Sequence, residues 1–240
     1  MYQPHKYRAW AESSDLISFI VNVEETNLFI SARTNLVHKA YRLVRKYRNS
    51  MERYILDHPE FLTSLKPVEV DKHAPVIVRS MAEAARWAGV GPMAAVAGAI
   101  AEFVGTELAK YSTDIIIENG GDLYIRSTTN RNIGIYAGIS ILSGKISIKI
   151  EGHRTPCGIC TSSGTVGHSL SFGKADAVTI IALSAVTADA TATACANLVH
   201  TAEDIPHALE LAQRVPGVTG AMVIIGDRLG VWGEVTLKNI

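Results

Sequence analysis

Two stretches of this chain consist almost entirely of small apolar residues, and they constrain its fold more than any other feature. Gly89-Val-Gly-Pro-Met-Ala-Ala-Val-Ala-Gly98 opens a run that stays small and apolar until Glu102, and Val186-Thr-Ala-Asp-Ala-Thr-Ala-Thr-Ala-Cys195 is the second. A helix of this composition has no solvated face, so it must be buried, and its small side chains let neighbouring backbone come close. Each run is followed by the same order of elements. After the first come strands at 115–118 and 123–126 joined by Asn119-Gly-Gly-Asp122. After the second, a helix at 189–200 and another at 202–214, come strands at 220–225 and 229–234 joined through Gly226-Asp227. A diverged duplication predicts this repetition, with halves of about 1–150 and 151–240 in one domain covering 1–240.

The remaining pattern fits the same class. Residues 16–23 and 27–32 alternate around Glu24-Glu25-Thr26 as a hairpin does. A basic amphipathic helix follows over 36–56, the chain is extended near Pro67, and a helix occupies 76–88. Strands are predicted at 133–137, 145–150 and 177–183. Strands grouped around helix pairs, rather than alternating singly with them, indicate α+β with largely antiparallel sheets.

Composition narrows the function classes. With 240 residues and 48% hydrophobic content the chain can bury a sizeable core, and 23 basic residues balance 23 acidic ones. That balance gives no reason to expect nucleic acid or an anionic membrane as partner. No run reaches the ~18 apolar residues of a membrane span and the N-terminus lacks a secretory pattern, so a cytoplasmic protein is expected. The small-residue helices serve equally for packing between the halves or for a homodimer interface.

Chemistry concentrates in the second run. Asp189 and Thr193 stand four residues apart at an expected helix start, so they stack on one face. A carboxylate and a hydroxyl beside free helical N–H groups suit a hard cation next to a phosphate; the alternative is an N-cap. Cys157-Gly-Ile-Cys160 has the spacing of redox and metal sites, yet Thr161-Ser-Ser-Gly164 follows, which is turn chemistry rather than a helix start. Lys174 is read as a phosphate contact or an exposed loop lysine.

Four motifs in order carry a family resemblance: Gly91-Pro-Met-Ala94, Glu118-Asn-Gly-Gly-Asp122, Thr161-Ser-Ser-Gly164 and Ala188-Asp-Ala-Thr-Ala-Thr193. Together, over about 80–237, they resemble the ApbE family of flavin transferases, and more closely a branch without a lipoprotein signal. The resemblance implies a T-fold-like α+β architecture with FAD in a cleft. It implies Mg2+-dependent cleavage of the FAD pyrophosphate, with FMN passed to a threonine of an acceptor protein and AMP released. On that basis Asp189 and Thr193 fall on the metal motif, with a carbonyl from the Met93-Ala94 turn. Gly120, Gly121 and Asp122 would line the nucleotide pocket together with Ser162, Ser163 and Gly164. Two departures stand out. The family's lysine position holds Ala95, and its long segment ending in His-x-x-Asp-Pro is replaced by a shorter loop in which His168 is the candidate base. Two alternatives remain: a flavin or nucleotide binder without transferase activity, and a redox or metal protein using Cys157 and Cys160.

Overall fold

The computed structural model describes residues 14–165 and 171–239. Strands β1 (Ile17–Val23) and β2 (Thr26–Ala32) form the expected hairpin. Three helices follow: α1 (Val37–Asp57), α2 (Glu60–Thr63) and α3 (Val76–Ala88). On α1, Arg48 pairs with Glu24, Glu25 and Glu52, so one cation of the basic face ties the helix to the β1–β2 turn. Gly89 ends α3 in the left-handed conformation (φ 75°) that favours glycine. A 3-10 turn over Pro92–Ala95 leads into α4 (Val96–Leu108).

Strands β3 (Ile115–Asn119) and β4 (Asp122–Arg126) make the Gly-Gly hairpin, and β5 (Arg131–Gly134) pairs with β6 (Ile146–Ile150). Next come β7 (Cys157–Ser162), β8 (Ala177–Ala182), α5 (Ala185–Leu198) and α6 (Ile205–Arg214). The chain closes with β9 (Val218–Ile225), β10 (Arg228–Gly233) and β11 (Thr236–Asn239). Among the described residues every strand pairing is antiparallel. Eight strands form one sheet in the order β1-β2-β3-β4-β7-β8-β9-β10, and β11-β6-β5 form a second.

Alternation along the strands sorts side chains onto two cores. Ile115, Ile117, Tyr124, Cys160, Val178 and Ile180 face the helices. Ile116, Leu123, Ile125, Cys157, Ile159 and Ile181 face the three-stranded sheet. The layers are therefore helices, large sheet, small sheet. Both small-residue helices are buried, and close approach explains their composition: a Cβ at Gly98 would lie 2.2 Å from the Ala185 carbonyl oxygen, and one at Gly158 would lie 2.2 Å from Ala185 Cα. Among the described residues no single helix is long and apolar enough to cross a membrane.

Two local expectations are corrected. Residues Cys157–Ser162 are a central strand, not the lead into a turn; Thr161 and Ser162 still pair with Thr179 and Val178, and the chain bends only at Ser163-Gly164. The second small-residue helix begins at Ala185 rather than near Asp189, because Ser184 supplies the N-cap by accepting the Thr187 N–H.

Candidate active site

The shift of the helix start changes the chemistry of Asp189. At the true N-terminus of α5 the free donors are already taken: Glu102 of α4 accepts from Ser184 Oγ at 2.8 Å, Ala185 N at 2.5 Å and Val186 N at 3.3 Å. The N-cap alternative for Asp189 is thus excluded, and no helical N–H groups of α5 are left to receive an anion there. Asp189 stands in the second turn and reaches across to α4, where its Oδ2 accepts the Gly98 N–H at 2.8 Å and its carboxylate also takes the Ala97 N–H. It is the start of α4, not of α5, that points positive charge at this carboxylate.

Asp189 is 8% exposed, and burial pushes its pKa up to about 7 against the opposing pull of these N–H donors. Asp122, the first residue of β4, lies on the helix side of the sheet and faces the same space. Burial, and then the nearby Asp189 charge, raise its pKa well above the ordinary carboxylate range. The neighbouring Cys160 thiol and Thr161 N–H oppose that rise, while the thiol itself donates to the Ala185 carbonyl at 3.4 Å.

These groups border a cavity of about 360 Å³, a size typical of small-molecule sites. Of the residues expected at a site, Met93, Ala94, Asp122, Asp189 and Thr193 all line it. Thr193 follows Asp189 by one turn on the same face. The Met93 carbonyl accepts the Val96 N–H within the 3-10 turn. Leu62, Leu65, Val90, Val96 and Phe172 supply apolar walls, and Asn197 closes one side while accepting the Phe172 N–H at 2.9 Å. Gly91 allows the Ser64-Leu65 segment to close on the turn: a Cβ there would sit 1.8 Å from the Ser64 carbonyl oxygen. Ala95, where the resemblance places a lysine, is fully buried. No lysine, arginine or histidine is among the described residues lining the cavity.

The other expected residues lie around this centre. Gly120 and Gly121 turn the β3–β4 hairpin with φ of 67° and 113°, and a Cβ on Gly121 would be 3.7 Å from the Thr161 carbonyl oxygen. Ser162 is buried at the end of β7. Ser163 Oγ approaches the Ala175 carbonyl at 3.4 Å, and the Gly164 N–H donates to the same oxygen at 2.9 Å. Gly164 is a packing residue, since a Cβ there would lie 2.1 Å from the Gly173 carbonyl oxygen. Lys174 is exposed outside the cavity lining, with its N–H on the Val199 carbonyl. His168 lies outside the described residues.

Sequence reasoning missed the α2 segment (Leu62, Ser64, Leu65) and Phe172 and Asn197, none of which belongs to a motif. A larger cavity, about 610 Å³, lies between α1, Pro75 and α4, and it contains none of the expected site residues. The two buried carboxylates, Asp122 and Asp189, both line the smaller one.

The geometry also removes the cysteine alternative. Cys157 faces the small sheet and Cys160 the helices, so three residues along an extended strand set them on opposite faces. Both are free and buried, and burial raises both thiols, Cys157 to about 12. They share neither a disulfide nor a ligand set.

Comparison with known proteins agrees with this architecture. The family described as AbpE bacteria matches residues 8–231. A UPF0280 protein of Methanocaldococcus jannaschii is 43% identical over 219 residues, covering 89% of each chain. One from Methanothermobacter thermautotrophicus is 44% identical over 212 residues, covering 86% of this chain and 82% of the other. Among solved structures, the apo flavinyl transferase ApbE of Pseudomonas stutzeri superposes with a TM-score of 0.58 at 14% identity, covering 91% of this chain and 94% of that one. The ApbE protein of Thermotoga maritima gives 0.59 at 14% identity, covering 90% and 96%. At such identity these two structures establish the fold.

Proposed function

This chain belongs to the AbpE family, and from that membership and the cavity we propose that it is an FAD-binding, Mg2+-dependent transferase that passes FMN to a threonine of an acceptor protein. The observation that carries the reading is the meeting of two buried carboxylates, Asp122 and Asp189, in a cavity whose described lining has no cationic side chain. Such a pair is costly until a cation joins it. Asp189 and Thr193 offer a carboxylate and a hydroxyl on one helix face, which suits a hard cation that keeps several waters. The donor set fits the group: oxygen donors only, one of them charged and desolvated. The Met93 or Ala94 carbonyl is the third protein donor in this reading. Magnesium, when bound, neutralises charge on the pyrophosphate oxygens.

The chain's own residues do the remainder. The start of α4 holds Asp189 through Ala97 and Gly98, fixing the side chain that would receive the cation. The apolar side chains of Leu62, Leu65 and Phe172 are exposed at the cavity, where a bound ligand would cover them. The oxygen of the acceptor threonine bonds to the FMN phosphorus, the bridging P–O bond breaks, and AMP leaves with the bonding electrons. The threonine proton passes to His168.

Incubating the protein with FAD, Mg2+ and a threonine-bearing acceptor peptide should release AMP, and Asp189→Ala should abolish release. Tight FAD binding with no AMP release would reject the transferase and leave a flavin binder. That second reading draws support from the cavity lining, which has no lysine where the resemblance expects one. A protein that takes up no FAD with or without Mg2+ would reject both.

A further inference from the structure

Asn197 is the one side chain with N–H donors among the described residues that line the cavity. It stands one turn beyond Thr193 and two beyond Asp189 on α5, and all three line the same space. Its Oδ1 accepts the Phe172 N–H at 2.9 Å, which fixes the orientation of the amide, because a backbone N–H can face only the oxygen. Nδ2 has no hydrogen-bond partner among the described residues, and it is open to solvent. The free end of Asn197 therefore presents donors only.

Phe172 stands beside it. This residue lines the cavity, is 56% exposed, and has no aromatic partner among the described residues. The backbone that carries it is pinned to the end of α5. A Cβ on Gly173 would lie 1.8 Å from the Ala196 carbonyl oxygen, and the Lys174 N–H donates to the Val199 carbonyl at 2.7 Å. An aromatic face held in place and open to water gains when a flat partner covers it.

Spacing assigns the two ends of the cavity. At 1.5 Å per residue, Asn197 lies about 9 Å along α5 from the midpoint of Asp189 and Thr193, a span that a sugar-type linker bridges. A cation on Asp189 and Thr193 suits a phosphate at one end of that span. The other end offers a flat apolar face and an N–H donor, and a planar heterocycle with acceptors on its edge matches both.

We propose that Phe172 and Asn197 form a ring subsite, in which Phe172 stacks on a planar heterocycle of the ligand and Asn197 Nδ2 donates to an acceptor on that ring's edge. This rests on the flavin nucleotide reading of the cavity. FAD carries two such heterocycles, isoalloxazine and adenine, and each is probed separately.

The test is displacement of FAD from the Mg2+-loaded full chain by two pairs of competitors that differ in the ring. One pair is FMN and ribitol 5-phosphate; the other is AMP and ribose 5-phosphate. Phe172→Ala and Asn197→Ala should each weaken the ring-bearing member of one pair about tenfold and leave its ring-free partner within about twofold. The responding pair names the ring. Asn197→Asp keeps an oxygen for the Phe172 N–H but takes the donor away, so the advantage of the ring-bearing member should shrink as far as in Asn197→Ala. An advantage restored to the wild-type level by Asn197→Asp would make Asn197 a latch on the Phe172 backbone and overturn its contact with the ring. Losses shared equally by both members of each pair, or found in neither, would overturn the subsite. Phe172→Ala should also leave the melting temperature of the ligand-free protein unchanged, and a marked fall would mean that the ring serves the fold instead. Two controls separate the failures. Wild type that binds FAD only with Mg2+, with that dependence lost in Asp189→Asn, while both pairs ignore Phe172→Ala and Asn197→Ala, sinks the subsite alone. Wild type that binds no FAD sinks the flavin reading and the subsite with it.

Discussion

At the scale of the residue, the site turns on where Asp189 sends its carboxylate. Its hydrogen bond to Gly98 joins positions 91 apart in sequence, and a Cβ on Gly98 would lie 2.8 Å from Asp189 Cβ and 2.2 Å from the Ala185 carbonyl. Gly98→Ala should therefore cost about 3 kcal/mol in urea denaturation and loosen α4 from α5. Asp189→Asn keeps an oxygen for the Gly98 N–H and removes the charge, so it separates structure from cation binding. The variant should fold, lose the rise in melting temperature that Mg2+ gives wild type, and lose at least about a hundredfold in AMP release. An unchanged Mg2+ response in Asp189→Asn would move the cation elsewhere. The i, i+4 spacing of Asp189 and Thr193 is legible in the sequence because helical geometry is local. The reach to Gly98 is not, since nothing in either segment names the other.

At the scale of the element, Glu102 does for α5 what Asp189 does for α4: each small-residue helix places a carboxylate at the start of the other. Glu102→Ala removes the acceptor for three donors at the N-terminus of α5 and should cost about 1–2 kcal/mol by chemical denaturation. Because α5 carries both Asp189 and Thr193, the same variant should also weaken Mg2+ binding. Elements were legible in proportion to the local signal they carry. The helix α3, at Val76–Ala88, matches its predicted bounds because it has one apolar face and a terminal glycine. The start of α5 is hidden in the sequence because Ala185 and Val186 resemble the residues after them, so only Ser184 marks the boundary. Strand β7 is masked in the sequence because Gly158 and the Thr161-Ser-Ser-Gly164 run have turn composition, whereas Gly158 is required by the closeness of α5. Its alternation yields a further expectation. Replacing Cys157 and Cys160 together by serine should leave bound metal unchanged by elemental analysis, because the two side chains never share a face.

At the scale of the whole molecule, the strands β1-β2, a helical crossover and β3-β4 follow the same scheme as β7-β8, a helical crossover and β9-β10, and the two sets lie side by side in one sheet. We propose that this arrangement records a duplication, with β5 and β6 as additions that build the second sheet. It also puts the two cavity carboxylates in different sets, Asp122 at the start of β4 and Asp189 on the crossover helix of the other, so the site exists only when both are assembled. The pH dependence of folding follows from that placement. Asp189 titrates near 7 in the fold against an ordinary value of 3.8, and Asp122 is shifted the same way. A raised acid favours the folded state while protonated: its contribution is complete below about pH 4 and is lost as pH rises through 7. Asp114 is shifted oppositely, held well below its ordinary value by the Thr128 N–H, Arg33 and Ser127, so its contribution is present above about pH 4 and lost in acid. Between pH 5 and 8 the Asp114 contribution is constant, and the cavity pair decides the trend. Without metal the melting temperature should fall across that window, by an amount reflecting up to about 3 kcal/mol for Asp189 alone, most of it lost below pH 7. Saturating Mg2+ should abolish most of the fall, because a cation favours the ionised carboxylates, and Asp189→Asn should flatten the metal-free curve. A metal-free melting temperature that rises from pH 5 to 8 would show that the two carboxylates do not face each other across a dry cavity.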